Sequence, residues 1–174
     1  MACRHILILS FFIWGFILNT SCSSQTKENV QRYPACEPRS NTDPGRLTIR
    51  AGAEDFGMAP PCMGKLELYI NPNSQTRSLV IDLEYLNMDD ELVHQEQLRT
   101  DLKPNSTGMF QNEATTSPVQ GATCRTLQMV LRSITCYSSD GIEVECPDVR
   151  VIPPDAFYSL KIDDQTLNVC SAER

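Results

Sequence analysis

From Arg46 onward the chain alternates apolar and polar residues in short runs. "RLTIRAG" sets Leu47, Ile49 and Ala51 against Thr48 and Arg50, and "KLELYI" sets Leu66, Leu68 and Ile70 against Glu67 and Tyr69. "SLVIDLEYL" puts Leu79, Ile81, Leu83 and Tyr85 on one face, with Asp82 and Glu84 on the other. "NMDD" then reads as a turn and "ELVHQEQLR" as the returning strand. "TLQMVLRSITC" carries Leu127, Met129 and Leu131 inward, and "GIEVEC" places Ile142, Val144 and Cys146 opposite Glu143 and Glu145. "VRVI" and "FYSLKI" complete the series. A period of two, broken by Gly, Pro, Asn and Asp, predicts strands, and no stretch sustains a helical stripe. The expected fold is therefore all-β. It is an antiparallel sandwich or barrel of about 7–8 strands over residues 46–170.

The chain before this domain has a different character. Arg4 is followed by the apolar run Ile6–Leu18 and then by "NTSCSS". As a helix that run would reach roughly 20 Å, short of a ~30 Å hydrocarbon core. Residues 1–21 therefore read as a secretory signal, and Cys22 stands where a bacterial lipoprotein would be acylated. Asn19 departs from the aliphatic residue that such a cleavage box prefers. Residues 22–45 are polar and rich in proline, the composition of a flexible arm. The mature chain is expected outside the cytoplasm: secreted, periplasmic or lipid-anchored at the surface, without a membrane span.

Charge narrows the partner classes. The whole chain carries a net charge of −7, and loss of Arg4 with the signal makes it −8. Nucleic acid needs Lys/Arg clusters, so it is not an expected partner. A protein partner is.

Apart from Cys22, six cysteines lie beyond the signal: Cys36, Cys62, Cys124, Cys136, Cys146 and Cys170. An even count behind a signal reads as a disulfide framework, and six cysteines can pair in about 15 ways. "CYSSDGIEVEC" permits one assignment. "SSDG" is turn chemistry, so strands ending at Cys136 and starting at Ile142 would pair and bring Cys136 near Cys146. Zinc would need further ligands at close spacing, but no CxxC occurs and His94 is the one histidine beyond the signal. Redox use would need a basic neighbour to hold a thiolate, whereas Asp140, Glu143 and Glu145 are acidic. A structural Cys136–Cys146 staple remains.

Catalytic and cofactor signals are sparse. His94 is the candidate general base for a small hydrolase, and no nucleophile elbow accompanies it. Asp89-Asp90 and Asp163-Asp164 are strand or turn neighbours whose side chains diverge. Asn87, Asp89 and Glu91 resemble the start of an EF-hand loop, but Leu92 and Leu98 stand where Gly and the bidentate Glu belong. No metal and no cofactor is expected. Asn105 begins an N-x-S/T sequon, relevant only in a eukaryotic secretory route. Phe56, Met58, Met63, Met109 and Phe110 fall in or beside expected loops and form the candidate binding set. The preferred function is a non-enzymatic protein-binding module. A carrier of small apolar ligands between the sheets is the alternative, and a hydrolase built on His94 a third reading.

The series from "RLTIRAG" through "SLVIDLEYLNMDDELV" to "TLQMVLRSITCYSSDGIEVEC" resembles an immunoglobulin/fibronectin type III-like sandwich. Within that class it looks like small secreted bacterial proteins of the interleukin receptor mimic protein A family, over roughly residues 46–162. The resemblance implies a non-enzymatic domain that binds host cytokines and forms a homodimer by exchanging strands. Fibronectin type III domains centre on a core tryptophan, and here the sole tryptophan, Trp14, lies in the signal. Tyr69 or Tyr85 would take its place.

Overall fold

The computed structural model describes residues 33–37, 45–54, 58–152, 154 and 156–171. Cys22, Phe56 and the signal segment lie outside these residues. Among the described residues eleven strands form: β1 (Leu47–Ala53), β2 (Gly64–Ile70), β3 (Ser78–Leu86), β4 (Leu92–Asp101), β5 (Lys103–Pro104), β6 (Phe110–Thr115), β7 (Gln128–Tyr137), β8 (Glu143–Val144), β9 (Val149–Ile152), β10 (Ser159–Ile162) and β11 (Val169–Ser171). They build two packed sheets. One runs β11-β9-β1-β2-β6-β5, the other β10-β7-β3-β4, with β8 on the far end of β7.

The alternation read from the sequence is the packing pattern. Leu47, Ile49, Ala51, Leu66, Leu68 and Ile70 face Leu79, Ile81, Leu83 and Tyr85, all withdrawn from solvent. Met129 and Leu131 join them from β7. The β7 pattern then shifts by one. Arg132 is an extra residue where the register against β3 slips between Asp82 and Leu83, so Ile134 and Cys136 point inward next. Such a bulge re-aims every later side chain.

Three pairings depart from an antiparallel sandwich. β1 with β9, β9 with β11, and β7 with β10 are parallel. The reason is the path of the C-terminal chain, which enters β9 in one sheet, crosses to β10 in the other and returns to β11. Parallel neighbours need such long connections. Ile142 is a second departure: it is 65% exposed at the end of the β7–β8 turn, where Ser138 N–H bonds its carbonyl.

Three disulfides tie the fold: Cys36–Cys170, Cys62–Cys124 and Cys136–Cys146. The expected Cys136–Cys146 staple forms, though not between directly opposed residues. Cys136 pairs with Val144, and Cys146 reaches it from two residues further on. Cys36 belongs to the expected loose arm. Yet residues 33–37 are docked, since Ala35 bridges Ser171 in parallel and the Tyr33 hydroxyl donates to the Ile162 carbonyl at 3.1 Å. Such bonds form in an oxidising compartment, consistent with an extracytoplasmic protein. Among the described residues no helix is long and apolar enough to cross a membrane.

Candidate binding surface

The sandwich distributes the candidate loop residues to opposite ends. Met58 and Met63 precede β2, while Met109 and Phe110 lie where Phe110 pairs with Ile70 at the other end of that strand. A seven-residue strand separates them by about 20 Å. Met58 is 63% exposed. Phe110 is half-buried beneath the Arg77 guanidinium, 3.9 Å from the ring centre. The loop methionines and Phe110 therefore do not converge on one patch.

His94 sits on β4 with its side chain turned toward the other sheet. Its Nε2 is buried without a hydrogen-bond partner, 3.9 Å from Glu96 Oε1. Both Glu96 oxygens instead accept the Ser117 N–H at 3.0 Å. The neighbouring hydroxyl is engaged too, since Tyr85 donates to Thr116 Oγ1 at 2.7 Å, and that oxygen also accepts the Gly64 N–H at 3.0 Å. Burial pushes the Tyr85 hydroxyl pKa up, which keeps it a donor. A base–nucleophile pair requires contact of roughly 2.6–3.2 Å, and among the described residues His94 Nε2 makes no such contact to a hydroxyl or thiol.

The acidic pairs serve turns and strand ties. Asp163 meets Arg132 and Lys161, the Lys161 hydrogen bond contributing most to holding its carboxyl below the ordinary range. Asp164 accepts the Ile134 N–H at 3.1 Å and the Thr166 N–H at 2.9 Å. A groove of about 580 Å³ opens here on the β7 edge, between β8 and the Asp164–Asn168 turn. Glu143, Glu145, Asp148 and Asp164 line it. Asn105 of the sequon is occupied as well. Its Oδ1 accepts the Thr107 and Met109 N–H groups, and its Nδ2 donates to Gln111. The space between the sheets is filled by fully buried Leu66, Leu68, Ile81, Leu83, Met129 and Leu131, so no lipid-carrying cavity is needed to explain these residues.

The β3–β4 hairpin combines order with exposure. Asn87 Oδ1 accepts the N–H groups of Asp89 and Glu91, both at 2.9 Å, and Asn87 Nδ2 donates to Glu91 Oε2 at 2.9 Å. Gln128 Nε2 holds Asp90 Oδ1 at 2.9 Å. Asp90 adopts φ 62°, a left-handed conformation that Asp tolerates better than most residues. On this fixed turn Met88 is 56%, Leu92 54% and Val93 42% exposed. Val93 is the extra residue where the β3–β4 register slips beside Leu86.

β4 itself is an edge. It has ten residues and β3 on one side, and among the described residues no strand pairs its other side. The Leu102 N–H donates to the Arg77 carbonyl at 2.7 Å, which fixes the alternation of the ladder. Residues 94, 96, 98 and 100 turn their backbone groups to β3. Gln95, Gln97 and Arg99 turn theirs outward. Asn112 Nδ2 covers the Asp101 carbonyl at 2.9 Å and closes the far end. Sequence reading expects the hairpin and an exposed strand edge, but does not assign that edge to β4. The signal was available: His94 and Glu96 at inward positions of "ELVHQEQLR" mark a strand with one wet side.

No family model matches the chain, and no curated protein matches its sequence.

Proposed function

We propose that the protein is a non-enzymatic protein-binding module that works outside the cytoplasm. The observation that carries this reading is the β4 edge, unpaired among the described residues, on a scaffold tied by three disulfides. Exposed strand edges present N–H and C=O groups in fixed register, and an extended segment of another protein satisfies them by adding a strand. A rigid host lowers the ordering cost of that addition. The state of His94 is in keeping with a binding role, because its neighbours Glu96 and Tyr85 are committed to Ser117 and Thr116. The resemblance to interleukin receptor mimic proteins narrows the partner to host cytokines, and that narrowing belongs to the proposal.

Surface plasmon resonance against a panel of purified secreted cytokines tests it. The expected result is saturable binding of at least one member at sub-micromolar Kd, unchanged in His94→Ala. Absence of binding across the panel, or a hydrolytic activity that His94→Ala abolishes with the fold intact, would overturn it.

A further inference from the structure

The hairpin tip and the edge strand are continuous, and their chemistry differs in a way that selects a partner. The tip exposes Met88, Leu92 and Val93 beside the carboxylates of Asp89, Asp90 and Glu91. The strand that follows offers the outward backbone of Gln95, Gln97 and Arg99. The tip is therefore apolar and carries three carboxylates, whereas the far end of the open edge sets Arg99 and Lys103 against Asp101, one net positive charge. We infer that β4 and its hairpin tip together receive an extended partner segment that adds antiparallel to β4, carrying an apolar residue and Lys or Arg at its C-terminal end. This rests on the protein-binding reading and names the place and the chemistry of that binding.

The direction follows from the register. An antiparallel addition sets the partner's first residues across from Arg99 and its last residues across from Val93 and the tip. Cationic side chains at that end meet three carboxylates. At the other end they would meet Arg99, so the charge pattern discriminates between the two directions. Alternate partner side chains lie over Gln95, Gln97 and Arg99 on the outer face, where β-branched residues suit a pleated surface. The turn is already fixed by Asn87 and by the Gln128–Asp90 bond, so the apolar side chains are presented without an ordering step of the loop. The bulge at Val93 and the cover of Asp101 by Asn112 limit the addition to the stretch between them.

A synthetic peptide, acetyl-Thr-Val-Thr-Val-Ile-Lys-Lys-amide, serves as the probe. It is titrated into ¹⁵N-labelled, disulfide-bonded protein recovered from the periplasm of an expression host. The expected result is saturable amide shifts confined to residues 88–99. A peptide ending in Glu-Glu, and the peptide of reversed sequence, should each bind at least tenfold more weakly. Gln97→Pro should weaken binding at least tenfold with the rest of the spectrum unchanged, because an outward edge N–H is the one backbone donor that proline removes there. If that variant fails to fold, Asp89→Asn with Leu92→Ser at exposed positions tests the same surface, with at least fivefold weakening expected. Shifts centred on the β7-edge groove, equal binding of the Glu-ended peptide, or no saturable shift would overturn the inference. Concentration-dependent shifts at 93–99 without peptide would overturn it too, by showing a second copy in the place of a foreign strand. A cytokine whose binding survives Gln97→Pro would leave the protein-binding reading standing and refute this site.

Discussion

Replacing Gly64 by alanine tests how tightly the two sheets meet. Gly64 opens β2 and is buried beneath Tyr85. A Cβ built there would stand 2.4 Å from Tyr85 Oη and 3.0 Å from both Met129 Cε and Phe157 Cζ. The Tyr85 ring must withdraw by about 1 Å to reach ordinary contact, yet it is packed on Phe157 with centroids 5.9 Å apart. Its hydroxyl would also leave Thr116, whose oxygen keeps the Gly64 N–H. Overpacking costs about 1–3 kcal/mol and the lost buried hydrogen bond about 1–1.5 kcal/mol. The stiffer unfolded chain of alanine offsets roughly 0.5–1 kcal/mol. Gly64→Ala should therefore destabilise by about 2–3 kcal/mol, a Tm fall of roughly 6–12 °C for a domain of this size. Tyr85→Phe alone should cost about 1 kcal/mol. It removes the oxygen that the new methyl would strike, so the double variant should be at least about 1 kcal/mol more stable than the sum of the two costs implies. Urea unfolding followed by far-ultraviolet circular dichroism, with disulfides intact, measures all four proteins. Additive costs, or a neutral Gly64→Ala, would refute this account of the sheet contact.

The disulfides should rank by the loops they close. Their sequence separations of 10, 62 and 134 residues correspond to about 3, 4 and 5 kcal/mol of denatured-state entropy. Replacing Cys62 and Cys124 by alanine should thus lower the urea stability more than replacing Cys136 and Cys146, and the reverse order would contradict a denatured-state origin. Acid should weaken the outer face of the second sheet. Hydrogen bonds from Ser133 and then Gln97 hold Asp82 below the ordinary carboxylate pKa, and the Lys161 hydrogen bond, aided by Arg132, does the same for Asp163. Because these folded values are depressed, their contribution is complete above the unfolded value near about 4 and is lost as pH falls through the folded values. Urea midpoints measured from pH 5 to 2 should fall, and Asp82→Asn should flatten the fall.

The period-two pattern made eight strands legible, β1–β4 and β7–β10, whereas β5 and β6 went unread because Lys103–Pro104 is only two residues long and "FQNEAT" buries neither face fully. The bulge at Arg132 was not legible: a slip of register leaves no mark in the residues themselves, and "VLRSITC" alternates plausibly in either phase. β11 was missed because "NVCS" is short and only half-buried, so its strand character comes from β9 and from the arm at Ala35. The parallel pairings follow from a chain path set by tertiary packing, which local alternation does not encode. Turn chemistry allowed the Cys136–Cys146 staple to be read, since ten residues around "SSDG" constrain it. The other two pairs join segments far apart in sequence. That Met58 and Met63 lie at the opposite end of β2 from Met109 and Phe110 was not legible, since loop position says nothing about which end of a sandwich a loop occupies.

The placement of the crosslinks gives the open edge its meaning. Cys36–Cys170 ties the arm to β11, and Tyr33 on the same arm reaches the Ile162 carbonyl of β10, so both sheets are joined along that side. Cys136–Cys146 holds the chain beyond β8 to β7 on the same flank, and Cys62–Cys124 joins the start of β2 to the turn before β7. β4 has no crosslink of its own. It is held to the first sheet by the Ser117–Glu96 bond and by Asn112 on Thr100 and Asp101. Two of the three covalent ties thus bear on one flank and the third joins the middle of the two sheets, while the opposite flank relies on side-chain hydrogen bonds and leaves a row of backbone groups unpaired among the described residues. A domain that needed only stability could have covered β4 with the C-terminal strands. Those strands instead crowd the flank that is already stapled.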